Sequence, residues 1–469
     1  MDDDDRRPPV LPHDAASTPT HGLTCSEHER TIIALHLLRP SIPARQLMEI
    51  LQVSLAEVKA AYRRLQTDPD IAQYTASPYY ARRLLYAFAR DTVQDWIADP
   101  AYPRRLLQGE PVASRVVEIH ATPGSCQYRC AMCLWSDKEK LTYARRGLAA
   151  QRYVDLDTWT DTLASLRAHG AHIVVLSGGG EPLLYPALPQ LILRARELGY
   201  RVHLYTNGLN LARHSDTLFG ALLAADRVRV SMHSPHPETY DQIVGLPAHV
   251  RALEQVAHGL QQLVAARDAS GSPLQVGIGF VIQPLNVGQV REMCAFAREV
   301  GVDFLHVRQD EVAVTAELGA AQLVELRGQL VEIREAMLAG GYGDLKIDFS
   351  DDLTALANGE SPLTERASEC YAKYYRPAIS PYGLVAACDL MAEPRFANLE
   401  RTFGNLTSGS IPQVLAALPA KRLTADCAQC MPSGRSGNLV YEKLLQDYQL
   451  GIDFAEQPFA SPTLLGARA

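Results

Sequence analysis

The sequence predicts an α/β fold: a partial (β/α)6 barrel, preceded by a helical region and followed by a small cysteine-rich one. Three observations predict it. Between about residues 112 and 310, short β-branched apolar runs alternate with helical patterns, which implies a parallel sheet covered by helices. Residues 29–66 carry apolar side chains at helical spacing. Past residue 361 the chain turns loop-rich and its cysteines cluster.

The elements follow in order. Residues 1–28, with four early aspartates, several prolines and little apolar content, read as disordered. Residues 29–110 read as a helical N-terminal domain. Ser41 and Ser54 stand where helix N-caps belong, and Glu57 follows Ser54 by three, as in a capping box. Two short helices meeting at QVS suggest a helix-turn-helix. Residues 111–318 form the partial barrel, with strands expected at SRVVEIHATPG, HIVVLSGGG, RVHLYTN, RVRVSMHS, LQVGIGFVIQP and FLHVRQ. Residues 319–360 read as a linker, one long helix and then a short strand in DLKIDFS. Residues 361–431 form the cysteine-rich domain, and 432–469 a tail without a motif.

Composition bounds the function. The 469 residues carry 45 basic and 53 acidic side chains, a net charge of −8. That balance argues against a chain-wide grip on nucleic acid or anionic lipid. No apolar run is long enough to span a membrane, and the start lacks the pattern of a secretory signal. A cytoplasmic location is therefore expected. Nine cysteines in such a chain point to metal rather than disulfides.

The most informative segment is CQYRCAMC, which spaces Cys126, Cys130 and Cys133 as CxxxCxxC after the first strand. Three thiolates on one loop suit three irons of a cubane and leave the fourth iron open. A zinc knuckle is the alternative, with His120 as the nearby fourth ligand. The second strand ends in Gly178, Gly179, Gly180, Glu181 and Pro182. Glycines there let a ligand approach the backbone, although a tight strand-to-helix turn reads equally well.

Together these two segments resemble the radical S-adenosylmethionine (SAM) superfamily over residues 112–310. The resemblance implies a TIM-like partial barrel and a [4Fe–4S] cluster ligated by Cys126, Cys130 and Cys133. SAM would chelate the open iron. Gly179, Gly180 and Glu181 would hold its methionine amino group, and the backbone of Met132 would meet adenine. Ser231 on strand four would contact ribose or the methionine moiety, and Asn207 would line the mouth. Bland readings remain for these two, a core-strand serine and a capping asparagine. The resemblance also implies an electron donor such as flavodoxin or ferredoxin.

Cys370, Cys388, Cys427 and Cys430 form a second set, on a hairpin around SPYG and a CAQC motif. Four thiolates can close a complete cluster, and a zinc ribbon is the structural alternative. The order of hairpin, GNL segment and CxxC resembles the SPASM and twitch domains appended to radical SAM barrels. It implies one auxiliary [4Fe–4S] cluster that passes electrons. Cys294 lies on the apolar face of a helix and reads as a buried structural thiol, the alternative being a hydrogen-atom donor. Cys25 carries no specific expectation.

Three functions compete. The first is a radical SAM enzyme acting on a small molecule: a sugar nucleotide, nucleoside or aminoglycoside-like compound. The N-terminal helices, VGIGFVIQP, FLHVRQDEV and LKIDFS are similar to radical SAM nucleotide-sugar deaminases of desosamine biosynthesis. By that similarity Arg308 would bind a substrate or SAM carboxylate, or a phosphate. The second is a maturase of a precursor peptide, docked by the N-terminal domain; that region lacks a convincing three-strand wing. The third is a DNA-binding regulator, but Arg45, Lys59, Arg63 and Arg64 against Glu49, Glu57 and Asp68 make too weakly basic a surface.

Overall fold

The structure is a computed structural model. It describes residues 48, 53–67, 101–122, 126–133, 153–213, 216–310, 318–358, 366–392, 401–406, 408–419, 421–425, 427, 430, 434, 435, 437–439, 441, 442 and 445. Cys25, Ser41 and Arg45, with the predicted disordered start and most of the first helix of the helix-turn-helix, lie outside these residues.

The chain divides into two compact units, residues 1–100 with 447–469 and residues 101–446. In the first, the described element is the helix Leu55–Thr67. The expected capping box starts it. The Ser54 amide donates to Glu57 Oε2 at 2.8 Å, and the Glu57 amide donates to Ser54 Oγ at 3.3 Å. Residues 101–110, expected with the helical domain, belong to the second unit.

The second unit is built on one open sheet of ten strands. In chain order these are β1 (Val116–Ile119), β2 (Ile173–Leu176), β3 (Arg201–Thr206), β4 (Arg227–Ser231), β5 (Gln275–Ile282), β6 (Phe304–Gln309), β7 (Lys346–Phe349), β8 (Ala378–Ile379), β9 (Leu384–Ala386) and β10 (Thr402–Asn405). Strands β1 to β7 pair in sequence, all parallel. All six expected strands form, and DLKIDFS supplies a seventh. The segment expected as a linker thus extends the sheet, because Ile347 finds a buried position beside β6. At the other edge β8 pairs with β1 in parallel, and β9 and β10 follow antiparallel. The cysteine-rich region is joined to the barrel through continuous backbone hydrogen bonds.

Burial alternates along the strands with period two. Val202 and Leu204 on β3, Val228 and Val230 on β4, and Val276, Ile278 and Phe280 on β5 are completely buried. Opposite them, Tyr205, Arg229, Ser231, Val281 and Arg308 border a cavity on the concave side. Helices cover the convex side. Leu188–Glu197 buries Leu188, Leu191, Ile192 and Ala195 at helical spacing. Leu156–Ala168 starts at Asp155, whose side chain accepts from the Thr158 amide at 2.8 Å, and buries Trp159. The long helix expected over 319–339 spans Ala320–Leu338. Among the described residues no helix is long and apolar enough to cross a membrane.

Candidate active site

The cavity at the C-terminal ends of these strands measures about 270 Å³. Parallel α/β sheets place their ligands at that end. Its walls gather Cys126, Cys130, Cys133 and Met132 from the first cysteine loop, Gly180 and Glu181 from the glycine turn, Asn207, Ser231 and Arg308. The sequence singled out all of these. Gly179 is not among the lining residues.

The glycine turn is a close-packed wedge. Gly178 has φ +42°, and a Cβ there would stand 2.3 Å from His120 Nε2. Gly179 has φ +70°, and its Cβ would meet the Thr122 carbonyl at 2.9 Å. Glycine is required on both counts, conformation and space. A Gly178→Ala substitution is expected to cost about 2–4 kcal/mol in urea unfolding of the full chain. An unchanged midpoint would contradict this packing. Beneath the turn, His120 is completely buried, with Nε2 3.1 Å from Glu118 Oε1. It is therefore occupied away from the cysteines and does not border the cavity, so the zinc-knuckle alternative loses its fourth ligand.

Glu181 is buried, and its carboxylate holds the turn together. It accepts from Thr206 Oγ1, from the Asn207 amide at 2.7 Å and from the Leu183 amide at 2.9 Å. Its carbonyl accepts from Thr122 Oγ1 at 3.1 Å. Burial pushes its pKa up to about 7 despite those three hydrogen bonds. The folded pKa lies above the ordinary 4.5, so this group's stabilisation is complete below 4.5 and is lost as pH rises through about 7. The loss is on the order of 3 kcal/mol. Comparing urea unfolding of the wild type and Glu181→Gln across this window is expected to show that the decline belongs to the wild type alone. Parallel declines would refute it.

The first cysteine loop is docked on the end of the helix Pro237–Val244, a support the sequence did not reveal. The Arg129 amide donates to the Val244 carbonyl at 2.8 Å and the Ala131 amide to the Ile243 carbonyl at 3.3 Å. Gly245, at φ +65°, caps that helix, and a Cβ there would meet the Arg129 carbonyl at 2.9 Å. Tyr128 and Tyr240 touch hydroxyl to hydroxyl at 3.2 Å, their rings nearly perpendicular. Asn207 bridges strand and loop: its Nδ2 donates to Cys126 Sγ at 3.5 Å and Gln127 Oε1 at 3.3 Å. Gln283 Nε2 reaches Met132 Sδ at 3.5 Å.

Burial pushes the Cys126 thiol up, with the charge of Glu181 adding to it. Burial raises Cys130 further, with Cys133 and Cys126 as mutually repelling neighbours. Cys130 thus lies in the field of both other soft donors of the loop. That donor set fits an iron–sulfur cluster, whose positive irons stabilise thiolates. Among the described residues no three His, Cys, Asp or Glu side chains close around a single metal ion.

The second cysteine set converges similarly. Cys370, Cys388 and Cys430 are raised by burial, and each lies in the field of at least one other member. Cys427 acts on both Cys370 and Cys430. The predicted hairpin holds Cys388 just past β9, and Cys388 and Cys427 pack against Ala378, Ala386 and Leu390. Cys294 is completely buried on the helix Val290–Val300, its thiol pushed up to about 12, and it does not border the cavity. That is the position of a structural thiol.

Two buried carboxylates that the sequence did not flag also border the cavity. Burial alone would raise Glu118, but His120, Arg376 and Ser177 hold it well below the usual carboxylate range. Asp389, beside Cys388, is raised by burial and accepts from Arg376 Nη2 at 2.9 Å. Their neighbours explain the omission, since they come from β1, β2 and the residues flanking the hairpin.

A concave parallel sheet with three thiols and a glycine turn at its mouth defines a soft-metal site with room for an organic ligand. Residues 122–266 match the Radical SAM superfamily. The chain carries a radical SAM domain. It is 25% identical over 265 residues to the dTDP-4-amino-4,6-dideoxy-D-glucose ammonia-lyase of Streptomyces venezuelae, covering 54% of this chain and 52% of that protein. It is 28% identical over 242 residues to the PqqA peptide cyclase of Streptomyces rochei, covering 51% and 58%. The chain thus spans little more than half the length of these relatives. Its fold is similar to that of Streptococcus suis SuiB bound to precursor peptide SuiA, with a TM-score of 0.50, 14% identity, and coverage of 84% and 82%.

Proposed function

We propose that the chain is a radical SAM enzyme that generates a 5′-deoxyadenosyl radical and abstracts hydrogen from a small-molecule substrate in a biosynthetic pathway. The observation that carries this reading is the shared cavity of Cys126, Cys130, Cys133, Gly180 and Glu181. Cys126, Cys130 and Cys133 would hold the [4Fe–4S] cluster, which supplies one electron for reductive cleavage of SAM. Asn207 and the end of Pro237–Val244 fix the loop that presents these sulfurs. The Glu181 carboxylate is spent on its own turn, so that turn offers SAM its backbone. Cys370, Cys388, Cys427 and Cys430 would hold one auxiliary [4Fe–4S] cluster that passes electrons between a substrate radical and a donor such as flavodoxin or ferredoxin. Similarity to the ammonia-lyase supports a sugar-nucleotide substrate. Anaerobic reconstitution with iron and sulfide, followed by dithionite and SAM, is expected to yield 5′-deoxyadenosine. Full cluster loading without that product would overturn the reading.

A second reading, a peptide maturase, draws on the similarity to PqqA peptide cyclase. Residues 29–110 would then dock a precursor peptide. Retention of such a peptide by the full chain in a pull-down would favour it over a small molecule.

A further inference from the structure

The wall formed by β4, β5 and β6 carries donors that no protein group uses. Arg229 projects inward from the middle of β4. Its guanidinium lies 3.6 Å over the Tyr205 ring, and its Nη1 reaches His306 Nδ1 at 3.3 Å. Its Nε is buried without any hydrogen-bond partner. Among the described residues Arg229 has no carboxylate in ion-pair contact, and Arg308, at the end of β6, has neither an ion pair nor a hydrogen bond. A buried guanidinium remains charged and is costly without a counter-charge. Arg229 is pushed down only to about 10, so it is cationic at neutral pH.

The surrounding groups also donate. His233 accepts the Val281 amide on Nδ1 at 3.2 Å. Burial, with Arg308 and Arg229 nearby, depresses it to about 3. The ring is therefore neutral, with its proton on Nε2 as a further donor. Ser231 adds a hydroxyl. The sequence makes room for this arrangement. Gly277 and Gly279 are the inward positions of β5, and a Cβ on Gly279 would stand 3.2 Å from Arg229 Cδ and Nε. Glu118, whose charge reaches Arg229 without ion-pair contact, is already bonded to His120 and Ser177.

We propose that Arg229 and Arg308, with His233 and Ser231, form a subsite for a phosphate-bearing part of the substrate. This rests on the radical SAM reading and narrows it. Two guanidiniums with added N–H and O–H donors exceed what one carboxylate can accept, whereas a phosphate or diphosphate uses them all. Among the expected classes, the same wall selects a sugar nucleotide or a phosphorylated nucleoside.

The test is binding of inorganic pyrophosphate to the anaerobically reconstituted full chain saturated with SAM, by isothermal titration. Arg229→Gln and Arg308→Gln are each expected to weaken it about tenfold or more, and Arg229→Lys to recover part of the loss. Gly279→Ala, which leaves every charge in place but crowds Arg229, is expected to weaken it too. Three results would overturn the proposal: no binding by the wild type, succinate binding as tightly as pyrophosphate, or a larger loss of SAM affinity than of pyrophosphate affinity in the variants. The last would assign the guanidiniums to the SAM carboxylate. Formation of 5′-deoxyadenosine by the wild type, read separately, distinguishes failure of the subsite from failure of the radical SAM reading.

Discussion

Cys130→Ala is expected to abolish 5′-deoxyadenosine formation and to remove about four irons from the reconstituted chain. The thiol sits between its two partners. Its charge is opposed by both of them and by burial, so a bound cluster would be what makes its thiolate favourable. A serine at the same place would keep the shape of the loop while offering a poor ligand, and should lose activity equally. The loop should persist in the variant, since its hold comes from the Val244 and Ile243 carbonyls and from Tyr240 rather than from the metal. Circular dichroism and the urea midpoint check that persistence. Retention of the product in Cys130→Ala would remove the assignment.

Cys388→Ala separates the two cysteine sets. It is expected to lose about four irons as well, while still releasing 5′-deoxyadenosine from SAM. The reason is spatial. Cys388 packs on Ala378, Ala386 and Leu390 beyond β9, whereas the thiols of the first cysteine loop are held by Pro237–Val244 and Asn207. Productive turnover, in contrast to abortive SAM cleavage, should fail without the auxiliary cluster. Iron analysis and product quantification on one preparation decide it. Loss of zinc rather than iron in this variant would make the second set a zinc ribbon.

The sheet was legible because its strands are short runs of Val, Ile and Leu between helical patterns, and buried strands of that composition leave few other readings. The seventh strand and the sheet-extending hairpin were harder. KIDF carries one deeply buried residue, and β8 contains just two residues, too few for any periodicity. The thiols and the glycine turn were readable because their chemistry constrains spacing along the chain. Glu118 and Arg229 were not, since nothing in their neighbourhood in sequence distinguishes an inward strand position that faces a cavity from one that faces a core, and Asp389 and His233 lie just past strand ends, where the sequence carries no such pattern. The role of Asn207 was half legible. It does border the mouth, yet its amide is committed to Cys126 and Gln127. The Glu181 carboxylate likewise turned out to serve the turn that carries it.

The most direct measurement is the electron paramagnetic resonance spectrum of the dithionite-reduced full chain with and without SAM. An open iron at the cavity mouth predicts that SAM changes the cluster signal and that 5′-deoxyadenosine then accumulates. A reduced-cluster signal that is identical in both samples would contradict it.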